Sequence, residues 1–190
     1  MKTRIIGIGN GGCNIVDDLR KVNLTHEVEF VYYDYESEEL RRHGNDNDCR
    51  ILLDIGHPAD IPIADNKVDV TIVASALGGR ATTMFSEKIS LAYRQLTGTM
   101  VGAMTLPFKT EGTVQCEKAK EFLKNLKASY DVSIIQDNDK LPGGLNVIQM
   151  NLPLCEAVGT AINKFSNSQQ EDNLKALLIE EVQSQCLIIE

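Results

Sequence analysis

Two glycine-rich turns, each placed directly after an apolar run, constrain the fold of this chain more than any other feature. The first is Gly7-Ile8-Gly9-Asn10-Gly11-Gly12 and the second is Leu77-Gly78-Gly79-Arg80. A segment with helical spacing of apolar residues follows each turn. Glycines between a strand and a helix let backbone N–H groups and the helix N-terminus face an anion without obstruction by a Cβ atom. Two such turns in one small domain predict a cradle that encloses one polyphosphate from two sides.

Composition limits the classes of partner. The 190 residues carry a net charge of −8, which argues against binding to nucleic acid or to an anionic membrane surface. No apolar run approaches the roughly 18 residues that a membrane span needs, and a strand pattern begins at the N-terminus where a secretory signal would lie. We therefore expect a cytoplasmic protein of one domain.

Cysteines and histidines show no pattern typical of a metal site. The five cysteines are dispersed without a CxxC pair, which favours reduced thiols over a disulfide framework or a zinc site. The three histidines have no ligand spacing between them. We predict that no metal is bound.

Strand and helix patterns alternate along most of the chain. Strands are predicted in apolar, β-branched-rich runs at Thr3–Gly9, Val28–Tyr33, Arg50–Leu53, Asp69–Ala74, Met100–Thr105 and Asp131–Ile135. Helices are predicted at Gly12–Lys21, Ser37–His43, Thr82–Leu96 and Val114–Ala128. This alternation predicts an α/β fold, a three-layer Rossmann-like parallel sheet with helices on both faces. The stretch from His57 to Lys67 holds two prolines, Pro58 and Pro62, and is predicted to be a loop.

The last quarter of the chain is predicted to be mostly helical. A helix is expected to begin near Asn151 as N-cap, with Pro153 tolerated in its first turn. A second amphipathic helix is predicted over Leu174–Val182, and Cys186–Ile189 is predicted to be a short strand or a tail on the core.

One interpretation of the first turn is a dinucleotide site. Gly7, Gly9 and Gly12 satisfy the pattern GxGxxG, and Asp34 follows about 20 residues later, where it would bind a ribose 2′-hydroxyl. That alternative is an NAD(P)-dependent oxidoreductase with NAD as cofactor. Asp34 is equally interpretable as the polar end of a strand. The dinucleotide pattern leaves the second glycine turn unexplained.

Four collinear motifs resemble the nucleotide-binding domain of FtsZ and tubulin. They are Ile6–Asn14, Val73–Thr83, the run from Pro107-Phe108 to Glu111-Gly112, and Asn138-Asp139-Lys140-Leu141. The resemblance implies a tubulin/FtsZ GTPase-domain fold over residues 1–165. Residues 166–190 would form a C-terminal helix and tail on the same domain, with no second domain.

The resemblance also implies roles for individual residues, with GTP or GDP as the ligand. Phosphate contacts fall on residues of the two glycine turns and on one asparagine after the first turn: Gly9, Asn10, Gly11, Gly12, Asn14, Gly78 and Gly79. Glu111 matches the acidic residue that holds the ribose, and Asn138 lies in the loop beside the base. Arg80 either offers a guanidinium to phosphate or fills space that a family glycine leaves open.

Several positions depart from the family pattern. The signature Gly-Gly-Gly-Thr-Gly-Thr-Gly is replaced by Gly78-Gly79-Arg80-Ala81-Thr82-Thr83-Met84, and the arginine after Glu-Gly falls on Gln115. The phenylalanine that stacks on the base falls on Val158, and the aspartate that contacts guanine falls on Asn163. An unpaired guanine donor costs about 1–3 kcal/mol, and a lost stacking contact costs about 1–3 kcal/mol more. Binding is therefore expected to be weak, or the site to be retired.

The chain lacks the acidic residues that the resemblance leads one to expect for GTP hydrolysis. The stretch that matches the family's catalytic loop is Gln183-Ser184-Gln185-Cys186, which contains no carboxylate. We predict no catalytic residues and no GTP hydrolysis by this chain alone. A third alternative is a module that docks on a homologue or another partner through the helix around Leu154–Phe165. A homo-oligomer or an FtsZ-like partner is expected, whichever of these alternatives holds.

Overall fold

A seven-stranded sheet organises the structure. The computed structural model describes residues 1–57, 60–167, 174–181 and 187–189. The strands are β1 (Lys2–Ile8), β2 (Glu27–Asp34), β3 (Cys49–Leu52), β4 (Val68–Ala76), β5 (Thr97–Leu106), β6 (Val132–Asp137) and β7 (Leu187–Ile189). Their order across the sheet is β3-β2-β1-β4-β5-β6-β7. The first six strands are parallel, and β7 runs antiparallel to β6.

Helices cover both faces of this sheet. They are α1 (Gly9–Lys21), α2 (Ser37–Arg42), α3 (Arg80–Tyr93), α4 (Thr113–Leu126), α5 (Val147–Asn167) and α6 (Leu174–Glu181), with four short 3-10 helices between elements. Within the described ranges, none of the helices is long and apolar enough to cross a membrane.

Successive strand residues supply the two apolar cores. Ile5 of β1 packs with α1, α5 and α6 on one face, whereas Ile6 packs with α3 and α4 on the other. This alternation follows from the period of two along a strand. The three-layer α/β fold predicted from the sequence is therefore confirmed, and each predicted strand and helix of the first 135 residues has an observed counterpart.

The start of α5 differs from the sequence prediction. The helix begins at Val147, and Asn146 caps it: its Oδ1 accepts the Gln149 N–H at 2.9 Å, and Gln149 Oε1 accepts the Asn146 N–H at 3.0 Å. This reciprocal capping box places the N-cap at Asn146, five residues before the predicted N-cap Asn151. Asn151 instead lies within the helix and donates to Asp18 at 2.9 Å.

The last helix and strand pack on the same sheet. Leu174 and Leu178 of α6 are buried in the cluster that contains Leu154 and Val158 of α5. In β7, Ile188 pairs with Ile135 of β6. Because α6 covers this part of α5, the surface proposed for docking a homologue is already occupied by the chain itself.

A buried arginine anchors the loop between β3 and β4. The Arg4 side chain is fully buried; it is ion-paired with Glu29 and donates to both the backbone oxygen and Oδ1 of Asn66 at 2.8 Å. Tyr93 adds a contact, since its hydroxyl accepts the Ala64 N–H at 3.0 Å. These bonds hold Ala64 and Asn66 in the segment that leads into β4.

The approach of α1 to β4 gives a stability prediction. A Cβ atom at Gly12 would overlap the Ala74 carbonyl oxygen, whereas nothing lies within 4 Å of a Cβ at Gly143. We expect Gly12→Ala to lower the free energy of unfolding by about 1–3 kcal/mol, and Gly143→Ala to change it by less than about 0.5 kcal/mol. Urea unfolding of both variants checks this. Equal stability would contradict the close approach.

Candidate functional site

The two glycine turns lie side by side at the carboxyl edge of the sheet. β1 and β4 are parallel neighbours, so the helices that follow them, α1 and α3, begin next to each other. A Cβ atom on Gly9 would lie 3.1 Å from the Cβ of Ala81. The Thr82 hydroxyl donates to the Ile8 carbonyl at 3.3 Å. Two helix N-termini therefore converge on one point, which is the arrangement that favours an anion.

A cleft of about 420 Å³ opens where the two turns meet. Of the residues predicted for the site, those that line this cleft are Gly9, Asn10, Gly11, Gly79, Arg80 and Glu111. The volume falls within the range of small-molecule sites in proteins. The structure thus brings together residues from three separate motifs of the sequence.

Some of these glycines are required by backbone conformation and another by close packing. Gly9 and Gly78 have φ of 71° and 93°, in the left-handed region that glycine adopts without a steric penalty. Gly12, in contrast, is required for the packing of α1 on β4. Gly78 is held by Gln115, whose Nε2 donates to the Gly78 carbonyl at 2.6 Å.

Charge in the cleft is mostly negative. Four carboxylates line it, from Asp34, Glu36, Glu39 and Glu111, while Arg80 is the one cationic side chain among the described lining residues. The Arg80 guanidinium lies 5.7 Å from the centre of the Tyr35 ring, a cation–π distance. These carboxylates oppose the attraction of the helix N-termini for a bare phosphate.

Asp34 ends β2 inside this cleft and is almost fully buried. Its Oδ1 accepts the backbone N–H groups of Tyr35 at 2.7 Å and Glu36 at 3.1 Å. Burial raises the pKa of the Asp34 carboxyl, and the two N–H groups only partly offset that effect. These bonds fit the interpretation of Asp34 as the polar end of a strand.

Two further predicted residues lie in the turns beside the cleft. Glu111 Oε1 accepts the Phe108 N–H at 2.8 Å, which orders the turn after β5. Asn138 Oδ1 accepts a hydrogen bond from Gln136 Nε2 at 3.0 Å. Asn138 lines a second, smaller cavity of about 160 Å³ together with Phe108.

Asn14 stands one turn of α1 beyond the glycines, and its Nδ2 is 3.5 Å from Asn10 Oδ1. Asn163 is not brought to the site. It accepts the Thr25 N–H at 3.0 Å and donates to the Asn23 carbonyl at 2.8 Å. Those residues follow the C-terminal end of α1, a helix about 20 Å long, so Asn163 lies at the opposite edge of the sheet.

Asn163 therefore does not contribute to the candidate site. Val158, the position matched to the stacking phenylalanine, is also fully buried in the core. Neither residue lines the cleft between the two glycine turns. The stretch Gln183–Cys186 lies outside the described residues.

Sequence reasoning missed four residues that line the cleft: Tyr35, Glu36, Glu39 and Gln115. The position of Tyr35 and Glu36 was available as a signal, since they directly follow the carboxyl end of β2, next to β1. Gln115 was noted only as the residue in place of the family's arginine; its contact with Gly78, made from α4 across a separation of 37 residues, has no local signal in the sequence.

Proteins similar to this chain include the cell division protein FtsZ. Comparison with protein-family models finds no match. The cell division protein FtsZ of Mycoplasmopsis pulmonis is 28% identical over 155 residues, which cover 73% of this chain and 40% of that protein. An empty FtsZ dimer from M. jannaschii superposes with a TM-score of 0.73 at 19% identity, over 92% of this chain and 59% of that one. The chain is an FtsZ/tubulin-like domain.

A third similar protein is CetZ2 from Haloferax volcanii, solved as a GTPγS-bound protofilament. It has a TM-score of 0.66 at 15% identity, and the match covers 97% of this chain and 60% of that one. The FtsZ/tubulin-like domain spans about two fifths of the length of the curated FtsZ relative. The oxidoreductase alternative is not favoured, because these relatives are FtsZ and CetZ proteins, and NAD has no support.

The buried carboxyl of Asp34 gives a prediction with a defined pH dependence. Because the pKa of Asp34 is higher in the folded state than in the unfolded state, its ionisation lowers the free energy of unfolding as pH rises past about 3.9. Asp34→Asn keeps the Oδ1 acceptor for Tyr35 and Glu36, so we expect it to raise the free energy of unfolding at pH 7. Below about pH 4 that advantage should vanish.

Urea unfolding at pH 3.5 and pH 7 measures the effect, and Asp60→Asn, at an exposed position, is the matched control. A lower stability of Asp34→Asn at pH 7 would contradict the proposed cost of the buried charge.

Proposed function

We propose that the cleft binds the phosphates of a guanine nucleotide weakly and that the chain does not hydrolyse it alone. The observation that carries this proposal is the convergence of the α1 and α3 N-termini at Gly9 and Ala81. Unpaired backbone N–H groups of both first turns point toward one space, and the helix dipoles add partial positive charge there. The FtsZ and CetZ relatives support GTP or GDP as the ligand.

Weak binding follows from the side chains around the phosphate site. Phosphate must approach the carboxylates of Asp34, Glu36, Glu39 and Glu111, with one guanidinium to offset them. This balance of charge reduces the affinity for phosphate without closing the cleft itself.

The proposal of no hydrolysis rests on the sequence. The stretch Gln183–Cys186 has no carboxylate to orient an attacking water. We further propose a cytoplasmic protein that forms a homo-oligomer or binds an FtsZ-like partner. The structures of similar proteins as a dimer and as a protofilament support that part.

Thermal unfolding tests nucleotide binding directly. At a hundred times Kd, a ligand adds about 2.7 kcal/mol to the free energy of unfolding, which raises Tm by about 5–10 °C in a domain of this size. We expect millimolar GDP or GTP to raise Tm and the same concentration of NAD to leave it unchanged. Phosphate release from GTP should match the rate without protein. No shift with GTP, GDP or ATP would mean that the site is retired.

A charge reversal at the mouth of the cleft locates the bound phosphate. A hydrogen bond from a charged group contributes about 1.5–3 kcal/mol, so Arg80→Glu should raise the Kd for GDP at least about tenfold. Lys118→Glu makes the same change at an exposed position of α4, away from the residues that line the cleft. Equal affinities of the two variants, measured by calorimetry, would place the phosphate elsewhere.

A further inference from the structure

A buried histidine connects the interior of the domain to the first glycine turn. His43 follows α2 and is 4% exposed. Its Nδ1 lies 2.7 Å from Asp17 Oδ2, and its Nε2 lies 3.1 Å from Asn10 Oδ1. Asn10 in turn lines the cleft. One ring therefore touches a carboxylate with one nitrogen and a residue of the candidate phosphate site with the other.

The carboxylate fixes the proton on one ring nitrogen. Burial works against ionisation of Asp17, but hydrogen bonds from His43, the Gly44 N–H and the Tyr32 hydroxyl outweigh burial and lower the pKa of Asp17. The Tyr32 hydroxyl donates at 2.9 Å and the Gly44 N–H at 3.1 Å. An ionised carboxylate only accepts hydrogen bonds, so Nδ1 of His43 carries a proton in either charge state of the ring.

The second nitrogen then decides the orientation of the Asn10 amide. A ring protonated on both nitrogens donates from Nε2 and pairs with Oδ1 of Asn10, the atom that faces it in the structure. A neutral ring presents a lone pair at Nε2 and requires the NH₂ of Asn10 to face it instead. The orientation of the amide is therefore linked to one proton on His43.

We propose that His43 is a positioning residue that couples uptake of one proton to phosphate binding. This inference rests on the proposed function. The protonated ring holds Oδ1 of Asn10, so the NH₂ group of Asn10 points into the cleft and donates to the phosphate. With a neutral ring, the amide oxygen faces the cleft and opposes an anion.

Other charged and titratable groups around His43 come from three elements. Tyr32 of β2 stacks on the ring with centroids 6.2 Å apart, and Asp34 of β2 interacts with it electrostatically. Asp17 of α1 contacts the ring, while Arg50 of β3 donates to the His43 carbonyl at 2.8 Å. Histidine is the side chain of this set whose charge ordinarily changes between about pH 5 and 8.

Calorimetric titration with GDP between pH 6 and 8 tests the coupling. For one linked proton, Kd rises up to about tenfold per pH unit once the ring is neutral. We expect the wild type to show this rise and to take up a proton, detected as heat that depends on the ionisation enthalpy of the buffer. His43→Gln should bind GDP at every pH, but its Kd should lack the rise with pH that the linked proton adds in the wild type. The ionisation of GDP itself is common to all proteins and cancels in the comparison.

His57→Gln is the matched control. His57 also pairs with a carboxylate, Asp54 Oδ2 at 2.9 Å, but its side chain is exposed and does not line the cleft. This variant should behave as the wild type does. Should His43→Gln fail to fold, Asn10→Ala removes the amide at an exposed position, and it should bind GDP more weakly without the additional rise.

The two levels of the proposal fail differently. Binding of GDP by the wild type with the same pH dependence and proton uptake as His43→Gln, or as Asn10→Ala, overturns the role of His43 and leaves the proposed function standing. Absence of GDP binding by the wild type at every pH overturns the proposed function, and this inference with it.

Discussion

Close packing of α1 against β4 is the constraint on which the candidate site depends. Gly12 has no Cβ, so the first turn of α1 rests on the Ala74 carbonyl. β4 lies beside β1 in parallel register, and the turn after β4 therefore begins where the turn after β1 begins. The cleft is the space left between these two turns, and a side chain at Gly12 would push them apart.

The site combines two opposing electrostatic effects. Helix N-termini and Arg80 favour an anion, while the buried carboxyl of Asp34 and the nearby glutamates oppose one. An ionised carboxylate is held in a buried position only at a cost in stability, and such costs concentrate at functional sites. These opposing charges underlie the proposed weak binding of a phosphate in the cleft.

Polar networks connect the cleft to the rest of the molecule. His43 joins Asn10 to Asp17 beneath the first turn, and Gln115 joins α4 to the second turn. Each joins elements far apart in sequence, and the proposed coupling of a proton on His43 to the cleft acts through the first of them. Arg4 plays a purely structural part at the opposite edge, where it holds the loop before β4.

The sequence alone determined the alternation of strands and helices, the two glycine turns and their place at strand ends, because hydrophobic periodicity and glycine content are local properties. Gly9, Gly11 and Gly79, which it singled out, line one cleft. Only the tertiary structure decided that Asn163 lies at the far edge, that α6 covers α5, and that His43 touches Asn10. Those contacts depend on where a helix begins and on which distant side chains meet, and neither is encoded in local spacing.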